Sequence, residues 1–378
     1  MNKKDSSTSK MMTELYCPQP FTNKVVNGLS GRIQPCCVMK NWPTGDSTKV
    51  WKDIKNEFLT GKGNLKEKFC QSCIEQEKHS ENSPRKSYLQ EYKDNPNTKS
   101  LEYNAPSNFC NLKCHMCGPW NSSTYAKENQ SVSSLDPFGQ SFVKKYGDKT
   151  LIQEDDDYNW FDPKDLTELK LVGGETLAIK NNYDVMMKTI DSGYSKNISL
   201  TITTNATLTP KFNGVDIFEI IPKFKDCKIN ISVEAWGQRN NYLRFPSKWE
   251  TIMHNAQKFM DCATIQFDAT INALNIGYLY EVVEGARNLG CTYNIGSLVW
   301  GSQEWYTVEA IPTDVREIYL NKFYSLHDIE FRGLISYLED TKFDEQLLIK
   351  VMKDVKSRDI YRGTCLLDLA PEWKSYYE

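Results

Sequence analysis

Three cysteines set within eight positions constrain this chain more than any other feature of it. Cys110, Cys114 and Cys117 stand in the segment Phe109-Cys110-Asn111-Leu112-Lys113-Cys114-His115-Met116-Cys117, with the spacing C-x3-C-x2-C. Three thiolates on one short loop can wrap three corners of an iron–sulfur cube and leave the fourth iron without a protein ligand. An iron left open in this way can bind a small molecule, whereas four thiolates would close the cluster. A structural zinc site is the rival use of such thiols. Zinc asks for four ligands, commonly in paired C-x2-C groups, and His115 is badly set for the fourth.

The remaining composition agrees with soft-ligand chemistry. The chain holds 12 cysteines but only four His in 378 residues, so thiolate sites are well supplied and His–carboxylate metal sites poorly. Cys17, Cys36, Cys37, Cys70 and Cys73 form a second group, while Cys227, Cys262, Cys291 and Cys365 are isolated and expected as core thiols. Met1–Lys10 is polar and reads as a disordered tail with no apolar signal sequence, so a cytoplasmic location is expected. In a reducing compartment close-set cysteines point to metal or cluster ligation rather than disulfides. A net charge of −3 gives no basic field for nucleic acid, and no apolar run reaches membrane-spanning length.

The rest of the sequence divides by rhythm. Residues 11–78 hold the second cysteine group, with a small hairpin expected at 24–26 and 32–34 around Asn27-Gly28 and Ser30-Gly31, and a helix at 51–59. A polar stretch, 79–99, reads as a linker with partial helical character. From residue 100 apolar runs of strand length alternate with segments of helical spacing. Strands are expected at 100–104, 168–172, 198–203, 228–233, 263–271 and 292–299, with helices between them. The alternation predicts an α/β fold, a partial (β/α)6 TIM-like barrel over 100–300. A helical extension follows over 301–378.

The Cys-Asn-Leu-Lys-Cys run and its spacing closely resemble the signature of the radical S-adenosylmethionine (SAM) superfamily. Further motifs carry the resemblance. Gly173-Gly174-Glu175 at the end of the second barrel strand is similar to the family's GGE motif, with Thr176 in place of the usual Pro. Thr204 and Asn205 end the third strand as in its T-x-N segment, and Ser232 and Glu234 end the fourth where Ser-x-Asp is common. Thr270 and Asn272 end the fifth. All lie at the strand ends where parallel barrels build active sites. The resemblance implies a 4Fe–4S cluster on Cys110, Cys114 and Cys117. It implies SAM bound by Met116, Gly173, Gly174, Glu175, Thr204, Asn205, Ser232, Glu234, Thr270 and Asn272. It also implies reductive cleavage of SAM to a 5′-deoxyadenosyl radical that abstracts hydrogen from substrate, and an electron donor such as flavodoxin or ferredoxin. Met116 stands where the family usually has an aromatic residue.

The stretch from Cys17-Pro18-Gln19-Pro20 to Gly31-Arg32-Ile33-Gln34-Pro35-Cys36 resembles the opening of the SPASM and twitch modules that hold auxiliary 4Fe–4S clusters in this superfamily. Cys17, Cys36, Cys70 and Cys73 would be the four ligands, with Cys37 too close to Cys36 to share its iron. The module here precedes the barrel instead of following it. A four-cysteine zinc site fits the same residues. Relatives with auxiliary clusters imply a peptide or small-molecule substrate, with net oxidation through the second cluster. A non-catalytic iron–sulfur or zinc adapter is the alternative. The insertion at 121–160, with Glu154-Asp155-Asp156-Asp157, Tyr158, Trp160 and Phe161, reads either as a lid or as a solvated loop.

Overall fold

Strict alternation makes each strand two-faced. In the computed structural model Leu169 and Leu171 are fully buried while Glu168, Lys170 and Val172 between them are half-buried, and the strands on either side repeat the pattern. The model describes residues 16–79, 83–132, 137–147, 149–152, 158, 161–298 and 304–378. The expected N-terminal tail, the run Glu154–Asp157 and Trp160 lie outside the described residues.

The six expected barrel strands all form, as β3 (Ser100–Asn104), β4 (Glu168–Val172), β5 (Ser199–Thr204), β6 (Asp226–Val233), β7 (Thr264–Ile271) and β8 (Thr292–Leu298). They pair in parallel in chain order. The architecture is a partial (β/α) barrel with an open sheet. The sheet has eight strands, not six. The expected hairpin, β1 (Asn23–Asn27) and β2 (Arg32–Gln34), joins it, with β1 parallel to β3 and β2 antiparallel at the edge. The stretch 79–99, read as a linker, carries the helix Pro84–Asp94, capped by Ser83 and opened by Pro84.

Register turns the alternation into two faces. Tyr103, Leu171, Ile202, Ile229 and Ile265 stand side by side across five strands, and they pack under the helices Lys180–Asp191, Trp249–Met260 and Leu279–Asn288. Each such fully buried side chain contributes roughly 1.5–3 kcal/mol. The opposite face is the barrel interior, and there Glu102, Lys170, Thr201 and Lys228 run side by side. The N-terminal segment reaches both edges of this face. β1 and β2 extend it beyond β3, while Gln76 on the helix Gln71–His79 hydrogen-bonds the carbonyl of Gly296 on β8 at 3.4 Å. Of the four isolated cysteines only Cys227 is a core thiol; Cys262, Cys291 and Cys365 are half-buried, because each stands at or beside an element end instead of within a packed face.

The C-terminal helix Glu345–Arg362 is tied to the start of the barrel by buried charge. Arg358, fully buried, pairs with Glu128 at 2.5 Å and Asp354 at 2.8 Å and donates to the Tyr125 hydroxyl at 2.7 Å. Arg362 pairs with the same Glu128 at 2.6 Å and donates to the carbonyl of Lys113, between the first two clustered cysteines, at 2.5 Å. Removing one member of such a network strands the others without a counter-charge in a low-dielectric site. Arg358→Ala should therefore cost about 3 kcal/mol, read as a lower urea midpoint with an unchanged m-value.

Candidate functional site

The loop that carries Cys110, Cys114 and Cys117 follows β3 and has no regular structure, so its backbone groups must find partners elsewhere. Two come from the segment after β6: the Lys113 N–H donates to the Phe245 carbonyl at 2.7 Å and the His115 N–H to the Leu243 carbonyl at 2.9 Å. Two more come from the helix Ser123–Ser131 and its cap. Ser122 Oγ donates to the Leu112 carbonyl at 2.6 Å, and Thr124 Oγ1 lies 3.0 Å from the Cys110 carbonyl and 2.8 Å from that of Leu112. Held this way, the three thiols share a nest with Leu112 and Met116. Burial raises all three thiol pKa values, that of Cys117 to about 12, and Cys114 adds to the rise at Cys110 and Cys117. Protein surroundings alone therefore favour neutral thiols, and a bound cationic metal centre would reverse the balance.

His115 does not join them. Its ring is fully buried, stacks on Tyr242 at 4.9 Å, and turns Nδ1 toward the Tyr306 hydroxyl at 3.3 Å. Burial, then Arg362 and Arg358, push its pKa well down, so it is neutral. Among the described residues no three or more His, Cys, Asp or Glu side chains converge as ligands of a single ion. A cube spreads its thiolates over separate irons, a demand different from convergence on one ion; Cys110 and Cys114 are buried and Cys117 is half-buried.

The glycine pair at the end of β4 lets this loop come close. Gly173 has φ of +154°, and a Cβ on Gly174 would stand 2.2 Å from the Phe109 carbonyl oxygen and 2.8 Å from that of Asn121. Glu175 is fully buried, and its N–H donates to the same Phe109 carbonyl at 2.7 Å. Its carboxylate, expected among the contacts to SAM, accepts from Thr204 Oγ1 at 2.5 Å, the Asn205 N–H at 2.8 Å and the Leu177 N–H at 3.1 Å. Burial raises its pKa and those three donors oppose the rise. Glu175 and Thr204 thus brace β4 against β5. Asn205 reaches the cysteine loop directly, donating to Asn111 Oδ1 at 3.0 Å with Cys110 Sγ 3.8 Å away.

Ser232 is half-buried on the interior face, in register with Asp268 of β7. Glu234 is buried just beyond β6 and accepts from Arg244 Nη1 at 3.0 Å, with Asn275 at 3.3 Å and Asn272 at 3.5 Å. Asn272 itself closes a turn, donating to the Thr270 carbonyl at 3.0 Å and accepting from the Leu274 N–H. Arg244 was not foreseen, and it acts on the thiols together with Arg362 and Arg358. Burial works against its charge, while Cys114, Glu234, Cys110 and Cys117, once ionised, push its pKa up. It stands ten residues beyond Glu234, and no local pattern marks it.

The second cysteine group also gathers. Cys17 and Cys36 lie in one apolar nest with Tyr16, Met39, Trp42, Phe58 and Phe69, against which Cys70 packs. Burial raises Cys17 and Cys70 to about 12, and Cys17 and Cys73 each raise Cys70 further. Cys37 hydrogen-bonds the neighbouring Cys36 thiol, and its sulfur also lies 3.6 Å from the Tyr88 hydroxyl and within reach of Glu102 on the barrel interior.

The family model described as the radical SAM superfamily matches residues 104–276. No curated protein matches the chain. Among solved structures the chain is similar to Streptococcus suis SuiB bound to S-adenosylmethionine, at 16% identity and a TM-score of 0.36 over 66% of this chain and 51% of that one. The chain therefore spans about half the length of that protein. It is also similar to anSMEcpe with bound AdoMet, at 15% identity and a TM-score of 0.39 over 70% and 67% of the two chains. The SuiB structure with the precursor peptide SuiA aligns at 14% identity and a TM-score of 0.35 over 87% and 66%.

Two measurements test this geometry. Gly174→Ala must push the β4 turn away from the Phe109 carbonyl, so its urea midpoint should fall well below that of Gly296→Ala, where a Cβ meets nothing closer than 3.5 Å. Burial, opposed by Arg244, raises the Glu234 carboxyl from 4.5 to about 7. A carboxyl raised in the folded state costs stability on ionising, so this group's contribution is undiminished below pH 4.5 and is lost as pH rises through 7. Wild type minus Glu234→Gln should show that fall, on the order of 3 kcal/mol at most, across this window in urea titrations.

Proposed function

Because residues 104–276 of this chain match the radical SAM superfamily model, we propose that the protein is an enzyme of that family that cleaves SAM reductively and uses the resulting radical on a polar substrate. The family implies a 4Fe–4S cluster and SAM. Cys110, Cys114 and Cys117 would hold the cluster, and the observation that carries this reading is their buried loop pressed against the Gly173–Glu175 turn through Gly174. When bound, the cluster and SAM supply a 5′-deoxyadenosyl radical, and a second 4Fe–4S cluster would supply an electron sink.

The chain's own residues do the rest. Gly173 and Gly174, without side chains, let the cysteine loop close against the end of β4, with the Phe109 carbonyl where a Gly174 side chain would stand. Glu175, Thr204 and Asn205 hold the strand ends and the cysteine loop in one frame, so the reacting carbon can be aimed. Arg244 supplies positive charge beside the three thiols and suits a carboxylate, with Glu234 fixing its direction. Met116, Ser232, Thr270 and Asn272 are assigned supporting contacts to SAM. The interior face, with Glu102, Lys170, Lys228 and Asp268, supports a peptide or small polar molecule over a hydrocarbon-like substrate.

Cys17, Cys36, Cys70 and Cys73 are proposed to hold the second cluster. Four thiolates leave no open iron, so electron acceptance suits it better than substrate chelation. Cys37, hydrogen-bonded to Cys36, also hydrogen-bonds Glu102 and lies in the field of Lys170, so the second thiol group adjoins the interior face. That proximity supports a net two-electron oxidation of the substrate.

Anaerobically prepared wild type should carry about eight irons, and a variant with Cys110, Cys114 and Cys117 all replaced by Ala about half as many. That variant should form no 5′-deoxyadenosine from SAM and dithionite. Turnover by it would sink the assignment, and a four-iron wild type with bound zinc would mean that the N-terminal thiols hold zinc. With substrate in hand, the double replacement Cys70→Ala and Cys73→Ala should keep 5′-deoxyadenosine formation while oxidised product is lost.

A further inference from the structure

The N-terminal hairpin adds an edge to the sheet, and over that edge lies a cavity of about 420 Å³ that the scheme above does not use. Three of its polar lining residues stand in one row. Arg32 of β2 opposes Asn27 of β1, and Asn27 is in register with Asn104 of β3, so the three side chains share a face. Its wall is aromatic: Trp120 meets Phe142 edge-on at 6.5 Å, and Phe142 meets Tyr146 at 4.8 Å. The hairpin tip is seated firmly. A Cβ on Gly28 would stand 2.6 Å from the Pro106 nitrogen, and the Gly28 N–H donates to the Asn104 carbonyl at 2.9 Å.

Arg32 is the unusual member of this cavity. Its Nε–H is buried and has no hydrogen-bond acceptor among the described residues. A guanidinium edge withdrawn from water without an acceptor is costly, and a carboxylate matches its planar fork better than any neutral group. Beside it the aromatic wall offers apolar, flat surface. The cavity also adjoins the reaction site. Asn121, in its lining, directs its carbonyl to within 2.8 Å of a Cβ built on Gly174, and Asn104 Oδ1 lies 3.7 Å from one built on Gly173.

We propose that this cavity recognises a carboxylate carried beside an aromatic side chain, the chemistry of an aromatic amino acid or of an aromatic residue at a peptide's C-terminus. The ligand is part of the substrate of the enzyme proposed above, and only that identification rests on the enzyme reading. Binding is measured without turnover, and 5′-deoxyadenosine formation is assayed separately, so the two can fail independently.

The test is isothermal titration calorimetry of the cluster-loaded full chain with three probes: phenylalanine, N-acetylphenylalanine and N-acetylphenylalaninamide. Both carboxylates should bind and the amide should bind at least about tenfold more weakly, the ratio expected for one charge-assisted pair. Tighter binding of the acetylated acid assigns the pocket to a peptide terminus, and tighter binding of phenylalanine assigns it to the free amino acid. Arg32→Gln should erase the preference for acid over amide. Tyr146→Ala, at an exposed wall position that the fold does not need, should weaken all three probes while keeping that preference. Equal affinity for acid and amide, wild-type selectivity in Arg32→Gln, no heat from either acid at 20-fold excess over enzyme at about millimolar concentration, or displacement of the probe by SAM would each overturn the proposal.

Discussion

A loop that presents three thiols to one space cannot hold its own shape, and in this protein one of its anchors is a buried carboxylate. Glu128 is fully buried and receives Arg358, Arg362 and Lys113. Burial works to neutralise it, but the three cations win and keep its pKa below the usual carboxylate value. Arg362 passes the constraint on to the loop through the Lys113 carbonyl, and Arg358 passes it through Asp354 to Tyr306, whose hydroxyl faces His115. Buried charge is a poor source of net stability, but it tolerates little rearrangement, because every displaced partner is left without a counter-charge. The helical extension at the end of the chain therefore belongs to the site, although none of its residues lies among the thiols.

The N-terminal segment supplies the other half of the enclosure. Its hairpin lengthens the sheet on one side, its helix Gln71–His79 meets β8 and the helix Arg332–Asp340 on the other, and Tyr88 and Cys37 rest against the charged interior. The polar face of the barrel is covered by a segment rich in thiols, where a complete barrel would cover it with its own last strands.

Most of the barrel was legible because its signals are local. Leu169 and Leu171 alternating with Glu168 and Lys170 can form only a half-buried strand, and the same holds for β5 to β7. The cysteine spacing and the two glycines were equally plain. What could not be read depends on partners far apart in sequence. The hairpin at 24–34 was expected, yet nothing near it announces a parallel partner at 100–104, since parallel pairing needs a long crossover and leaves no local mark. Arg244 looks like any surface arginine until β6 and the cysteine loop meet around it. Glu175 stood out by motif, but its three internal donors come from the end of β5 and from its own turn, and only the folded chain reveals them. Tyr158, read as part of a lid or solvated loop, is buried edge-on against Tyr103 because Asp184 and Lys188 tie it to the helix Lys180–Asp191.

The pairing of β1 with β3 carries one more consequence. Without the hairpin, β3 would be the margin of a parallel sheet, presenting a row of unpaired N–H and carbonyl groups beside Leu101 and Tyr103. Such a margin is a template for any extended chain in the cell. β2, only three residues long and begun by Arg32, makes a poor template in its place. The same segment that brings the second set of thiols thus acts as an edge guard, and a chain that fails to seat it exposes a surface prone to self-association before any chemistry is at stake.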